Sequence, residues 1–237
     1  MAHSGQIDQI PPFRILFEDQ HLLVLSKRAG LLSQGDITGE VSLVDLLRDH
    51  FGRPYVGLLH RLDRNTSGLM IVAKRTKSAE RLSAQLIAGE LVRNYHALVL
   101  GSFPSPEPQH WEHFLLKNEK TNEVRAVSKG TPGAKASALT VKPLLKFAHP
   151  KNGSALTLAH YTLETGRSHQ IRVQSAAQGY PLIGDTKYGG EKMRELFSRP
   201  ALHSCSLQFT HPMSKEEMRF EEYLSADMID HFPELKL

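Results

Sequence analysis

The stretch His60-Arg61-Leu62-Asp63-Arg64-Asn65-Thr66-Ser67-Gly68-Leu69 is the part of the chain whose residue types and spacing speak most directly of chemistry. One carboxylate, Asp63, stands among His60, Arg61 and Arg64, in a loop that runs into the apolar residues Leu69 to Ala73. Positive charge nearby favours the ionised form of an aspartate. An ionised aspartate can serve as a nucleophile or as a base. Gly68 and the small Thr66 and Ser67 let a substrate backbone come close. Taken alone, Arg-x-Asp-Arg reads first as a surface salt bridge at the head of a strand, and such exposed pairs contribute little.

The charge of the chain concentrates around the same residues. Lys plus Arg is 29 and Asp plus Glu is 25, a formal net charge of +4. Residues 60–93 hold Arg61, Arg64, Lys74, Arg75, Lys77, Arg81 and Arg93 against Asp63, Glu80 and Glu90, so this segment carries the whole excess and the remainder is balanced. A local positive patch attracts polyanions such as nucleic acid; the plainer alternative is a solvated helix face.

Other chemistries find less support. Among thirteen histidines, His110-x-x-His113 could pair on one face, but no third ligand follows at a zinc-site spacing, and no metal is expected. Cys205 is the only cysteine. It excludes a disulfide framework, fits a reducing cytoplasm and reads as a small core residue. No apolar run approaches the roughly 20 residues of a membrane helix, and the N-terminus carries no signal-peptide pattern. With 40% hydrophobic and 23% charged residues the composition is that of a folded globular protein rather than a disordered chain.

The elements that must position these residues follow from periodicity and turn chemistry. Residues 1–12, ending in Pro11-Pro12, read as a loose arm before a single domain over 13–237. Two apolar runs around a polar turn predict a hairpin over Phe13 to Lys27. Ser42 caps a predicted helix through Asp49, with Leu43, Leu46, Leu47 and His50 on one side. A second helix is predicted from Thr76 to Gly89, with Ala79, Leu82, Leu86 and Ile87 as its apolar stripe and Gly89 as its stop. Strands are predicted over 92–100, 111–116, 124–127, 136–147, 155–163, 202–209 and 218–223, with the Pro104, Pro106 and Pro108 stretch a loop. Residues 168–178 read as a helix ending at Gly179, with a strand through Ile171 and Val173 as the alternative. Strands outnumber helices and cluster in hairpins, so the expected class is α+β, with a mixed, mostly antiparallel central sheet flanked by helices and loops.

The string from His60 to Leu69 resembles the H-R-L-D-x-x-T-S-G-L signature of the RluA/RluC/RluD-type pseudouridine synthases. Ile15 to Gly30 is similar to the family's opening hairpin, with Arg28 where proline is usual. Asn94-Tyr95-His96-Ala97 is similar to its K-x-Y-x-A stretch, with Arg93 in place of the lysine. Thr165-Gly166-Arg167-Ser168-His169-Gln170-Ile171-Arg172-Val173 resembles its T-G-R-T/S-H-Q-I/L-R-V block. Gly184 to Gly190 and Leu202-His203-Ser204 match later blocks. The small N-terminal S4-type module of many members is expected to be absent.

The resemblance implies conversion of uridine in RNA to pseudouridine: the N-glycosidic bond breaks, the uracil turns, and a carbon–carbon bond forms at the same sugar carbon. It implies no cofactor and no metal. By resemblance Asp63 is the catalytic carboxylate, whether it attacks the sugar carbon or removes the 2′ proton, and Tyr95 lies against the base. Arg172, the second arginine of the T-G-R block, is the expected partner of Asp63, as a bidentate guanidinium. Arg167 is read as an RNA contact or loop clamp. Ile171 and Leu202 would wall off water. Arg61, Arg64, Lys74, Arg75 and Lys77 are the candidates for RNA phosphates. A target uridine in structured RNA must be flipped out, at a cost of a few kcal/mol; stacking on an aromatic ring contributes roughly 1–3 kcal/mol per base. The expected partner is ribosomal or transfer RNA, and the expected state is a cytoplasmic monomer. Two rival readings are an inactive RNA-binding module of the same fold and a glycosidic-bond hydrolase. The latter usually needs a second carboxylate that the motif lacks.

Overall fold

A computed structural model describes residues 11–236. Most of the expected arm, residues 1–10, lies outside the described residues. In chain order the elements are β1 (Phe13–Glu18), β2 (Leu22–Lys27), α1 (Leu43–Phe51), β3 (Gly57–Leu58), β4 (Ser67–Ala73), α2 (Thr76–Ala88), β5 (Val92–Leu100), β6 (Gln109–Asn118), β7 (Glu123–Val127), β8 (Lys135–Ala148), β9 (Ala155–Leu163), α3 (Gln170–Ala177), α4 (Thr186–Gly189), β10 (Leu202–Thr210), β11 (Glu217–Glu221) and α5 (Ala226–His231). Short 3-10 turns lie at Glu191–Glu195 and Pro233–Leu235.

One mixed, mostly antiparallel sheet carries all eleven strands found among the described residues. Its order is β1-β2-β4-β10-β5-β9-β8-β6-β7, with β3 beside β4 and β11 beside β10. The hairpin turn forms because the Asp19 carboxylate accepts the His21 and Leu22 N–H groups, both at 2.7 Å. Only β4 and β10 run parallel, and they pair at two positions, His203 with Ser67 and Ser204 with Gly68. Beyond that seam β10 pairs with β11 instead.

Side chains alternate between the two faces of the sheet. One face gathers Leu23, Leu25, Met70, Val72, Tyr95, Ala97 and Tyr161 with α1 and α3. The other is covered at one end by α2, through Leu82 against Leu22, Val24, Leu69 and Ile71. At its other end the C-terminal segment covers Leu98, Leu156 and Leu158.

The helices depart from expectation in three places. His50 is exposed and pairs with Glu18 at 2.8 Å instead of joining the apolar side of α1. Ile87 is fully exposed, and the inward position on α2 belongs to Gln85. That amide bonds both the N–H and the C=O of Thr210, each at 2.8 Å, and so ties the helix to β10. Residues 170–177 are helical, which settles the helix-or-strand alternative. The helix starts two residues later than predicted, because His169 adopts a left-handed conformation at its N-terminus. No helix among the described residues is long and apolar enough to cross a membrane.

Candidate active site

The loop carrying Asp63 is held from beneath. The Lys27 ammonium is buried and donates to the carbonyls of Arg28, Leu31 and Arg64 at 2.9, 2.8 and 3.1 Å. Burial draws Lys27 down to about 7, against the pull of the Asp63 charge; three carbonyl acceptors fit the ammonium form. Ser33 Oγ donates to the Leu62 carbonyl at 2.6 Å and accepts the Leu62 N–H at 3.2 Å. His60 is buried beneath the loop, where its Nε2 accepts the Ile71 N–H at 3.2 Å. Burial pushes it down to about 3, so the ring is neutral. Gly68, at φ +107°, brings this loop to the centre of the sheet: a Cβ there would overlap the Ser204 carbonyl, and Ser204 is the residue opposite Tyr95.

The second wall of the site is the start of α3. Gln170 organises it, since its Oε1 accepts from Thr165 Oγ1 (2.8 Å) and the Arg167 N–H (2.9 Å) while its Nε2 donates to the Ala138 carbonyl (3.0 Å). Arg167 clamps the same loop, its Nε donating to the Ala136 carbonyl at 2.9 Å. One turn into the helix, Arg172 reaches Asp63.

That contact is Nη1 to Oδ2 at 3.0 Å, and it is single. The bidentate pairing of Arg172 is with Asp185, through Nε at 2.7 Å and Nη2 at 2.9 Å. Asp185 is buried and accepts the Lys187 and Tyr188 N–H groups that open α4. Burial works against the Arg172 charge, but the hydrogen bonds and charge of Asp185, and then of Asp63, hold its pKa above the ordinary guanidinium value. The expected fork on Asp63 is therefore corrected. The fork grips Asp185, and one N–H is left for Asp63, whose side chain stays 28% exposed.

Asp63 shares its cleft with aromatic and apolar groups. Tyr95 is buried, and burial, with a further push from the Asp63 charge, holds its phenol above the ordinary value, so it is neutral near pH 7. Ile171 and Leu202 are buried walls of the same cleft, a small one of about 90 Å3 that is open on one side. His169 Nε2 stands 3.9 Å from Asp63 Oδ1. Its Nδ1 bonds the Tyr188 hydroxyl at 2.6 Å, and that hydroxyl accepts the Val124 N–H at 3.1 Å. Burial is the main cause that lowers the His169 pKa.

The cations adjacent to Asp63 in sequence turn away from it. Arg64 pairs with Glu40 at 2.6 and 2.8 Å, and Arg61 donates to Gln34 at 3.1 Å; Arg61 still lines the cleft mouth. Lys74, Arg75 and Lys77 lie past the far end of β4, about 20 Å of strand from the Asp63 loop. Lys74 is largely buried, bonded to Glu18 (2.5 Å) and the Asp19 carbonyl (2.7 Å) and seated over the Phe51 ring. Arg75 donates to the Gln20 carbonyl at 3.1 Å. The basic segment thus forms two separate patches, and Lys74 is spent on the scaffold.

Sequence reasoning assigned no role to three groups here: Asp185, His169 with its partner Tyr188, and Arg93. Asp185 carried a signal, an acidic residue at a helix-capping position. Arg93 is buried in the cleft wall, and its Nη1 lies where a Cβ on Gly166 would stand only 2.7 Å away, which accounts for a glycine there.

A partly exposed carboxylate, held by one N–H of a guanidinium, lines a cleft together with a buried phenol, an arrangement that can do acid–base or nucleophilic chemistry. Residues 21–177 match the model of the RNA pseudouridylate synthase family, and the chain belongs to that family. It is 35% identical to ribosomal large subunit pseudouridine synthase D of Nitrosomonas europaea, over 95% of this chain and 65% of that protein. It is 32% identical to ribosomal large subunit pseudouridine synthase C of Vibrio cholerae, over 90% and 66%. The chain thus spans just under two thirds of the length of these relatives. A Pseudomonas aeruginosa relative of the D type is 34% identical over 96% of this chain and 73% of its own. The fold is shared with human RNA pseudouridylate synthase domain containing 1, with a TM-score of 0.73 at 23% identity, covering 94% of this chain and 86% of that one.

Proposed function

We propose that this protein isomerises specific uridines in RNA to pseudouridine, with Asp63 as the catalytic carboxylate, Tyr95 against the flipped base and Arg172 as the residue that orients and charges the site. The observation that carries the reading is the 3.0 Å contact between Arg172 Nη1 and an Asp63 that remains partly open to a cleft walled by Tyr95, Ile171 and Leu202. In the reaction the bond between N1 and the sugar carbon breaks, a bond from C5 to that carbon forms, C5 loses its proton and N1 gains one. Asp63 serves as nucleophile toward the sugar carbon or as base toward its 2′ proton. Arg172, its fork fixed on Asp185, presents one N–H that stabilises the carboxylate charge. Tyr95, neutral and buried, supplies the stacking surface that offsets flipping. Arg61 and Arg167 at the cleft mouth would meet the nucleotide's phosphates, with Arg64, Arg75 and Lys77 further along the strand.

Ribosomal RNA is the first substrate class to test, because relatives bear that name, and transfer RNA is the second. The buried free thiol of Cys205 supports a cytoplasmic setting. Exposed large apolar side chains such as Ile37 and Ile87 are scattered, which supports a monomer in sedimentation. The deciding assay incubates the protein with RNA tritiated at C5 of uridine. Wild type should release tritium and Asp63→Asn should not. Release by neither protein from ribosomal or transfer RNA would favour an inactive RNA-binding module.

A further inference from the structure

The reverse face of the sheet, behind Tyr95, carries three ligand-bearing side chains that the reaction does not use. His96 follows Tyr95 on β5 and so points to the opposite face. His160 stands directly across from it on β9. Cys205 is the extra residue of a bulge in β10, where the register to β5 slips between Ser204 and Ser206. Bulges re-aim a side chain. One ligand atom from each of the three lies within 4.8 Å of the other two.

We propose that His96, His160 and Cys205 form a binding site for a divalent transition ion of the zinc class.

The geometry supports this in three ways. First, His96 Nδ1 lies 2.8 Å from the Tyr223 carbonyl. A carbonyl only accepts, so Nδ1 carries the proton and Nε2 presents its lone pair. Donation of the second ring N–H to a backbone carbonyl is the usual way a metal-binding histidine is oriented. Second, His96 and His160 are directly paired across β5 and β9, with their ring centroids 5.2 Å apart. Third, the donors come from three adjacent strands, so the backbone already holds them at the required neighbourhood. Ligand atoms of a tetrahedral zinc site, with bonds of about 2.0–2.3 Å, lie roughly 3.5 Å apart, and a rotation of the half-exposed His160 ring supplies that contraction. Two nitrogens and one sulfur leave a fourth position for water. Burial keeps the Cys205 thiol protonated in the metal-free protein, so binding releases one proton. A bound ion would pin β10, β5 and β9 together, and two of these strands carry Tyr95 and Leu202 on the cleft face.

The test uses the full-length chain, freed of metal and titrated with Co2+ alone. An intense thiolate-to-cobalt charge-transfer band that saturates at one equivalent and is displaced by Zn2+ is expected. Cys205 is the only cysteine, so the band in wild-type protein identifies its sulfur without recourse to a variant. Cys205→Ser should abolish the band, and His160→Ala should weaken binding at least about tenfold. Absence of the band in wild type, weak d–d bands alone, or an affinity unchanged in His160→Ala would each overturn the site.

Discussion

Two arginines flank the start of β4, Arg199 buried and Arg172 largely so, and they are completed differently. Arg199 grips Asp227 through Nε at 2.7 Å and Nη2 at 2.8 Å. Its remaining N–H groups go to the carbonyls of Asn65 and Pro200 and to Ser225 Oγ at 3.1, 3.0 and 2.9 Å. Nothing of its guanidinium is left for a ligand. Arg172 grips Asp185 in the same forked way, but its third bond goes to Asp63, a carboxylate partly open to solvent in a cleft. An arginine has five N–H donors, and only three of those on Arg172 are engaged by protein. Burial and a forked aspartate therefore do not distinguish scaffold from site. The incomplete pairing at the cleft does.

The largest effect that tests this contrast is on activity at Asp63. Asp63→Asn should lower kcat/KM by on the order of 10^4-fold or more, while thermal unfolding moves by about 1 kcal/mol or less. An active Asp63→Asn protein would break the contrast at its root. Next come the two arginines. Arg172→Ala strands the buried Asp185 charge and should cost about 3–5 kcal/mol in denaturant unfolding, with turnover lost even in the folded fraction. Arg199→Ala leaves Asp227, whose carboxylate is half exposed, and should cost roughly 1–3 kcal/mol. Its turnover per folded molecule should stay within a few-fold of wild type. Equal loss of turnover in both variants would mean that the arginines are not functionally distinct.

Acid should act on the scaffold before the cleft. Burial places His60 at about 3 and His203 at about 4 in the folded protein, below the ordinary imidazole value of about 6.5. Between those values the unfolded chain binds more protons, so stability is full above about pH 6.5 and falls as the pH drops toward 4. Each group removes up to about 1.4 kcal/mol per pH unit. Melting temperatures that stay flat from pH 7.5 to 5 would contradict this. The smallest effect concerns the two basic patches. Arg61→Ala should reduce the salt dependence of RNA binding by about one unit of slope. Lys74→Ala should leave the slope unchanged, since its charge is already paired with Glu18.

Much of the fold was legible because its signals are local. The hairpin around Asp19, the stop of α2 at Gly89 and strands β5 and β9 all follow from side chains within a few residues. Gly89, for instance, takes the left-handed conformation that ends a helix. The misreadings share one cause. Ile87 fits an apolar stripe by periodicity, yet Gln85 takes the inward place because Thr210, 125 residues away, offers it two backbone partners. In the site, sequence proximity put Arg61 and Arg64 beside Asp63, and both found partners elsewhere. Arg172 was readable as a partner only through the family block. Its grip on Asp185 depends on the turn into α4, which no periodicity announces.

The two-residue parallel seam between β4 and β10 joins segments 136 residues apart in the chain. Closing so long a loop is entropically costly and slow compared with forming the hairpins on either side. Until the seam shuts over Gly68, the Asp63 loop rests on Lys27, Ser33 and His60 alone, and Ser204, the residue opposite Tyr95, is not docked against it. Regained turnover during refolding should therefore lag behind regained strand content, and enzymatic recovery becomes a clock for the last long-range docking event.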